Sequence, residues 1–134
     1  MRKTILIILI ALYGVIAVAQ KPTRQEFVAV CDSLGIRYSN VVWAQARLES
    51  GNFESKTYKQ KHNCLGIRFS KQKSYARFSN WQECVKAYRD RVQYRFKRVD
   101  ATDEEYLQWL VSIKYATDKN YTHKVRNIMR QYKN

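Results

Sequence analysis

Val41-Val42-Trp43-Ala44-Gln45-Ala46-Arg47-Leu48-Glu49-Ser50-Gly51 is the stretch from which the rest of the chain can be read. It is mostly apolar on every side of a helical wheel, which predicts a helix from about Asn40 to Ser50 that is buried on most faces. Gly51 supplies its stop. Glu49 therefore lies at the C-terminal edge of a buried helix, where the partial negative charge of the helix end disfavours a carboxylate. Burial against Ala46 and Val42, one and two turns earlier on the same face, adds desolvation. Both effects raise a carboxyl pKa, and a raised pKa lets a general acid keep its proton near neutrality. The competing reading is a helix-end glutamate paired with Arg47 or a lysine.

Upstream, Thr23-Arg24-Gln25-Glu26 has the form of a capping box. It opens a first helix carrying Phe27, Val30, Cys31 and Leu34 at helical spacing, with Gly35 as its stop. Downstream, residues 51–78 lose this periodicity. The alternating run Ser74-Tyr75-Ala76-Arg77-Phe78 predicts a small hairpin or pair of strands among loops. Three further helices follow. The third starts at Ser79 as N-cap, with Gln82 at the box position, and carries Trp81, Val85, Tyr88, Val92 and Phe96. The fourth starts at Thr102, boxed with Glu105. The last starts near Asp118 as N-cap and carries Tyr121, Val125, Ile128, Met129 and Tyr132. The expected fold is mainly α (α+β), about five helices with a small irregular or β lobe inserted after the second.

The N-terminus reads as an address. Met1-Arg2-Lys3 is cationic, Thr4 to Val18 is apolar, and Ala17-Val18-Ala19 has the small-x-small form of a cleavage site. Residues 1–19 are therefore expected to be a signal peptide, leaving 20–134 as one domain in a secreted or periplasmic location. The alternative is an uncleaved anchor, but the apolar run falls short of the roughly 20 residues a spanning helix needs. No stable membrane insertion is expected after cleavage. Loss of Arg2 and Lys3 would remove two positive charges from a formal +14. So basic a domain fits an anionic partner such as a wall polymer, although the charge also serves solubility. Export argues against nucleic acid. Lys56, Lys59, Lys61, Lys71 and Lys73 cluster in the middle segment. His62 and His123 lack company at metal-ligand spacing, so neither a metal nor a cofactor is expected. Of the three cysteines, Cys31 is placed as a buried free thiol, and Cys64 with Cys84 as the candidate disulfide.

Four segments carry a family resemblance. Ala44-Gln45-Ala46-Arg47-Leu48-Glu49-Ser50-Gly51 is similar to the A-Q-A-x-x-E-S-G signature of bacterial glucosaminidase domains, the endo-β-N-acetylglucosaminidases of autolysins and flagellar wall hydrolases. Asn63-Cys64-Leu65-Gly66-Ile67-Arg68 resembles that family's N-x-x-G-I-K segment. Phe78-Ser79-Asn80-Trp81-Gln82-Glu83-Cys84 resembles its aromatic-x-S-x-x-E-S pattern, and Tyr115-Ala116-Thr117-Asp118-Lys119-Asn120-Tyr121 its Y-A-T-D-x-x-Y motif. The resemblance implies a lysozyme-like fold that binds peptidoglycan glycan strands in a groove. It puts Glu49 in the place of the catalytic acid, Tyr115 in that of a cleft tyrosine important for catalysis, and Tyr121 in that of a second cleft tyrosine. Asn63, Tyr75 and Phe78 join Tyr121 as candidate substrate-binding residues. Loop shaping is the alternative for Asn63, and packing for the three aromatics. A monomer is expected.

Most glycosidases use two carboxyl groups. Between Ser55 and Gln82 there is no Asp or Glu, and the nearest flanking acids are Glu54 and Glu83. That gap favours Glu49 as a single acid, with the substrate's 2-acetamido carbonyl as internal nucleophile and the Tyr115 hydroxyl orienting it. Muramidase or lytic transglycosylase action on the same polymer, a non-catalytic wall-binding module and a membrane-active cationic protein are the alternatives. A carboxylate found within reach of the cleft would weaken the single-acid version.

Overall fold

In the computed structural model, which describes residues 19–69 and 74–132, helix α2 (Ser39–Glu49) is the centre of the fold. Its residues Val41 to Ala46 are all buried, as an all-round apolar helix requires. Helices α1 (Arg24–Ser33), α5 (Asp103–Ser112) and α6 (Tyr121–Arg130) pack against it. Helices α3 (Lys56–Lys61) and α4 (Trp81–Arg91), with a 3₁₀ turn at Gln93–Arg95, complete the set. The expected signal peptide, residues 1–19, lies outside the described residues except for Ala19. Among the described residues, no helix is long and apolar enough to cross a membrane.

The caps explain where the helices begin. The Thr23 hydroxyl accepts the Glu26 amide at 3.1 Å, but the Glu26 carboxylate accepts from that same hydroxyl, so the expected box is half closed. The box at Thr102 and Glu105 is complete. Helix α4 is capped one residue later than expected, by Asn80, whose side chain accepts the Glu83 amide at 2.9 Å. Ser79 and Asn80 are both good caps, and the pattern alone does not choose between them. Helix α4 also stops at Arg91 instead of running to Phe96, because Gln93 turns inward to exchange two hydrogen bonds with the Arg37 backbone, both at 2.8 Å. The last helix starts at Tyr121, not Asp118. Asp118 occupies the preceding turn, where its side chain accepts the Asn120 amide at 2.9 Å.

The middle segment departs furthest from expectation. It holds a short helix, α3, capped by Ser55 and anchored by the fully buried Tyr58. One apolar residue in six gives no period to read. The β lobe is not formed: among the described residues there is no strand, only a single antiparallel bridge between Arg68 and Tyr75. The two segments touch through one backbone bond, from the Ala76 amide to the Ile67 carbonyl at 2.8 Å. The Asn63 amide clasps the same pair: its Nδ2 donates to the carbonyls of Ile67 (2.7 Å) and Ala76 (2.9 Å), and its Oδ1 accepts the Ile67 amide (3.0 Å). The expected Cys64–Cys84 disulfide is also absent. All three cysteines are buried free thiols, and Cys84 donates to Asn63 Oδ1 at 3.6 Å.

The core holds a continuous polar run. Gln93 donates to the Tyr106 hydroxyl (3.1 Å), which meets that of Tyr88 (2.6 Å). Tyr88 donates to Gln45 Oε1 (2.7 Å), and Gln45 Nε2 donates to the Tyr121 hydroxyl (3.0 Å). Every member is buried, and each is satisfied by the next, as polar groups inside a protein must be. Trp43 is buried against Phe27 and Phe53.

Candidate active site

The chain reverses sharply at the C-terminal end of α2. Ser50 is buried; its hydroxyl donates to the Ala46 carbonyl at 2.5 Å and accepts the Phe53 amide at 2.8 Å. Gly51, Asn52 and Phe53 all have φ near +60°, so the chain leaves the helix through three left-handed residues in a row. This reversal leaves Glu49 as the last helical residue, facing a cleft of about 480 Å³.

Gly66 covers the Glu49 carboxyl. A Cβ on Gly66 would lie 2.9 Å from Glu49 Oε2 and 3.3 Å from its carboxyl carbon, and its φ of +66° disfavours any other residue. Burial pushes the Glu49 pKa up to about 7, and the positive charge of Arg68 offsets part of that rise. Glu49 is thus poised to hold a proton at neutral pH and to give it up without a large penalty. The C-terminal partial charge expected to contribute is present by position, but burial is the main cause.

Tyr115 and Tyr121 line the same cleft, as does Tyr75. The Tyr115 hydroxyl donates to the Leu65 carbonyl, which ties α5's exit to the loop carrying Gly66. Burial, with Tyr121 and Glu49 nearby, holds the Tyr115 phenol well above its ordinary pKa, so it remains protonated. Tyr75 stacks beneath the Arg68 guanidinium at 4.0 Å. Asn63 does not line the cleft. It is only 3 % exposed, with its amide committed to the loop below, so loop shaping replaces substrate contact. Phe78 packs against the hydrophobic core and does not line this cleft.

The carboxylates redistribute. Glu54 is exposed and paired with Lys21 (3.7 Å) and Lys59 (3.4 Å), and Glu83 lies in the first turn of α4. Asp118, read as a cap, is the second acid lining the Glu49 cleft. Lys124 at 2.5 Å and the Asn120 amide hold its carboxyl below the usual range, so it is ionised. The strict single-carboxylate reading is weakened accordingly. Of the lysine cluster, Lys59 is paired with Glu54 and Lys61 donates to the Tyr75 carbonyl at 3.2 Å, while Lys71 and Lys73 lie outside the described residues. Among the described residues no group of His, Cys, Asp or Glu could hold a metal ion.

Sequence reasoning missed the covering role of Gly66 and the inward role of Gln45. The signal for Gln45 was present: a lone amide in an otherwise apolar helix needs partners on other helices.

Comparison with known proteins supplies two findings. The family described as mannosyl-glycoprotein endo-beta-N-acetylglucosaminidase matches residues 24–134. Among solved structures, the catalytic domain of the autolysin Auto from Listeria monocytogenes shares the fold, with a TM-score of 0.59 over 87% of this chain and 88% of that one, at 23% identity. No curated protein matches the chain.

Proposed function

Since the chain belongs to the glucosaminidase family, we propose that it is an exported peptidoglycan hydrolase that cleaves the β-1,4 bond after N-acetylglucosamine. The observation that carries this reading is the Glu49 carboxyl beneath Gly66, in a cleft, with its pKa raised to about 7. Glu49 gives its proton to the glycosidic oxygen as the C–O bond breaks. The 2-acetamido carbonyl of the same sugar attacks the anomeric carbon and closes a five-membered ring. Water then opens that ring and returns a proton to the Glu49 carboxylate. Arg68 steadies that carboxylate between the two steps. Tyr115, fixed by Leu65, offers an oxygen edge to the acetamido group.

Asp118 supports a second version, in which an ionised carboxylate replaces the acetamido group as base or nucleophile. The likeness to the catalytic domain of an autolysin supports the wall as substrate.

The test is clearing of purified wall by the native chain and by Glu49→Gln. Clearing by the native chain alone supports the enzyme; equal clearing by both, or by neither, sinks it. Mass spectrometry of the products separates reducing-end N-acetylglucosamine from reducing-end N-acetylmuramic acid and from anhydro-sugars, the marks of the muramidase and transglycosylase alternatives. An Asp118→Asn loss as large as that of Glu49→Gln would favour two carboxylates. A Tyr115→Phe enzyme with full turnover would remove Tyr115 from the chemistry.

A further inference from the structure

A second groove, of about 590 Å³, adjoins the first and shares Gly66, Arg68 and Tyr115 with it. Glu49 opens to the first alone, so whatever fills the second is connected to the reacting sugar without being the reacting bond. The second groove has no acid in a position to act. Its carboxylate, Asp90, is engaged by Arg89 at 2.8 Å. Its remaining character is cationic and aromatic. Arg91 lies over the Phe69 ring at 5.2 Å, and the large apolar surfaces of Phe69 and Tyr94 are 44% and 59% exposed. A guanidinium beside an aromatic ring at the surface can still turn its N–H donors to a planar anion. No carboxylate pairs with Arg91 among the described residues.

From this pairing of guanidinium and exposed aromatic surface, we propose that the second groove seats the peptide stem of the glycan, with a stem carboxylate at Arg91 and its alanyl methyls on Phe69 and Tyr94. The inference rests on the peptidoglycan reading above. The sugar backbone of that polymer is uncharged and offers Arg91 no anion. The lactyl-peptide substituent carries both carboxylates and small apolar groups, and it leaves the glycan beside the reacting sugar. The groove is therefore a specificity device: it distinguishes a stem-bearing strand from a bare one.

The experiment uses wall glycan with its stems intact and the same glycan stripped of them by an amidase. Initial rates of reducing-end release at low substrate give kcat/KM on each. The native chain prefers the stem-bearing glycan, and Arg91→Glu lowers that preference by about fivefold, the worth of an exposed ion pair. Tyr94→Ala lowers it in the same direction. Arg91 and Tyr94 are both exposed, and melting temperatures confirm that the variants fold. A ratio unmoved by both variants overturns the inference, as does a native chain with no preference. Binding to the Glu49→Gln chain separates this inference from the parent reading. Stem-bearing disaccharide that binds more tightly than stripped disaccharide, with Arg91→Glu abolishing the difference, supports the groove even if the native chain cuts neither glycan. Equal binding of the two overturns it.

Discussion

Helix α2 and the segment that follows it meet at Glu49 but are held by different forces. In α2 the residues from Val41 to Ala46 are buried on all sides, and the backbone satisfies itself. From Ser50 to Arg68 turn and loop hydrogen bonds of the backbone are supplemented by single side chains: the Ser50 hydroxyl, the Ser55 cap, the His62 ring against the Phe78 carbonyl at 3.0 Å, and the Asn63 amide. Five residues there adopt left-handed φ: Gly51, Asn52, Phe53, His62 and Gly66. One wall of the cleft thus rests on a regular apolar helix, and the other on an irregular loop that adds polar side-chain clasps to buried residues such as Tyr58 and Leu65. The geometry around Glu49 should fail before the fold does.

The largest expected effect breaks the chemistry and spares both regions. Glu49→Gln should lower turnover by roughly 10²- to 10⁴-fold, the usual worth of a general acid. Its effect on stability has a definite sign. The carboxyl is raised from 4.5 to about 7 on folding, so the folded state holds its proton more tightly than the unfolded one. Stability from this group is full below pH 4.5 and is lost as pH rises towards 7. Melting temperatures should therefore show Glu49→Gln gaining on the native chain between pH 4.5 and pH 7.5, and a gap that stays constant would refute the raised pKa. For the native chain, kcat/KM should decline above about pH 7, as the acid loses its proton.

Next in size is Asn63→Ala. It leaves the Ala76 carbonyl and the Ile67 amide without their Asn63 partner in a buried loop and should cost about 2–3 kcal/mol. Hydrogen exchange should show the loss concentrated between residues 63 and 78, with α2 still protected. Uniform loss across α2 would erase the contrast between the two walls. Gly66→Ala should cost about 1–2 kcal/mol for its left-handed backbone. Its Cβ, 2.9 Å from Glu49 Oε2, should also reduce activity more than the stability change explains. The smallest effect belongs to the framework. Thr102→Ala removes the cap of α5 and should lower stability by about 1 kcal/mol, with turnover retained well below the melting temperature.

This contrast also sets what the sequence discloses. Helices announce themselves through period and caps, so α1, α2 and α5 were legible nearly to the residue. Where two capping residues stand side by side, as at Ser79 and Asn80, the boundary slipped by one. In the middle segment the decisive interactions join one side chain to distant backbone groups, as Asn63 does with Ala76, and no local period encodes them. The alternating run from Ser74 to Phe78 therefore reads as a strand, although it pairs only at the Arg68–Tyr75 bridge. Within the cleft, Glu49, Tyr115, Tyr121 and Tyr75 were legible as a set. Asp118 was assigned to a cap because its neighbours made that role sufficient, and only the fold brings it to the Glu49 cleft.

Hydrogen bonds have a sense, and the buried run from Arg37 to Tyr121 can be followed in one direction only. The Arg37 amide must donate and its carbonyl must accept, which fixes both ends of the Gln93 amide. Gln93 then gives to Tyr106, Tyr106 to Tyr88, Tyr88 to Gln45 and Gln45 to Tyr121. Each hydroxyl proton is spoken for until the last. Tyr121 reaches the cleft as an acceptor on its inner side, with its own proton left for whatever occupies the cleft. A backbone amide at one end of the core thereby decides, five bonds away, which way the hydroxyl proton of the tyrosine at the other end is left to point.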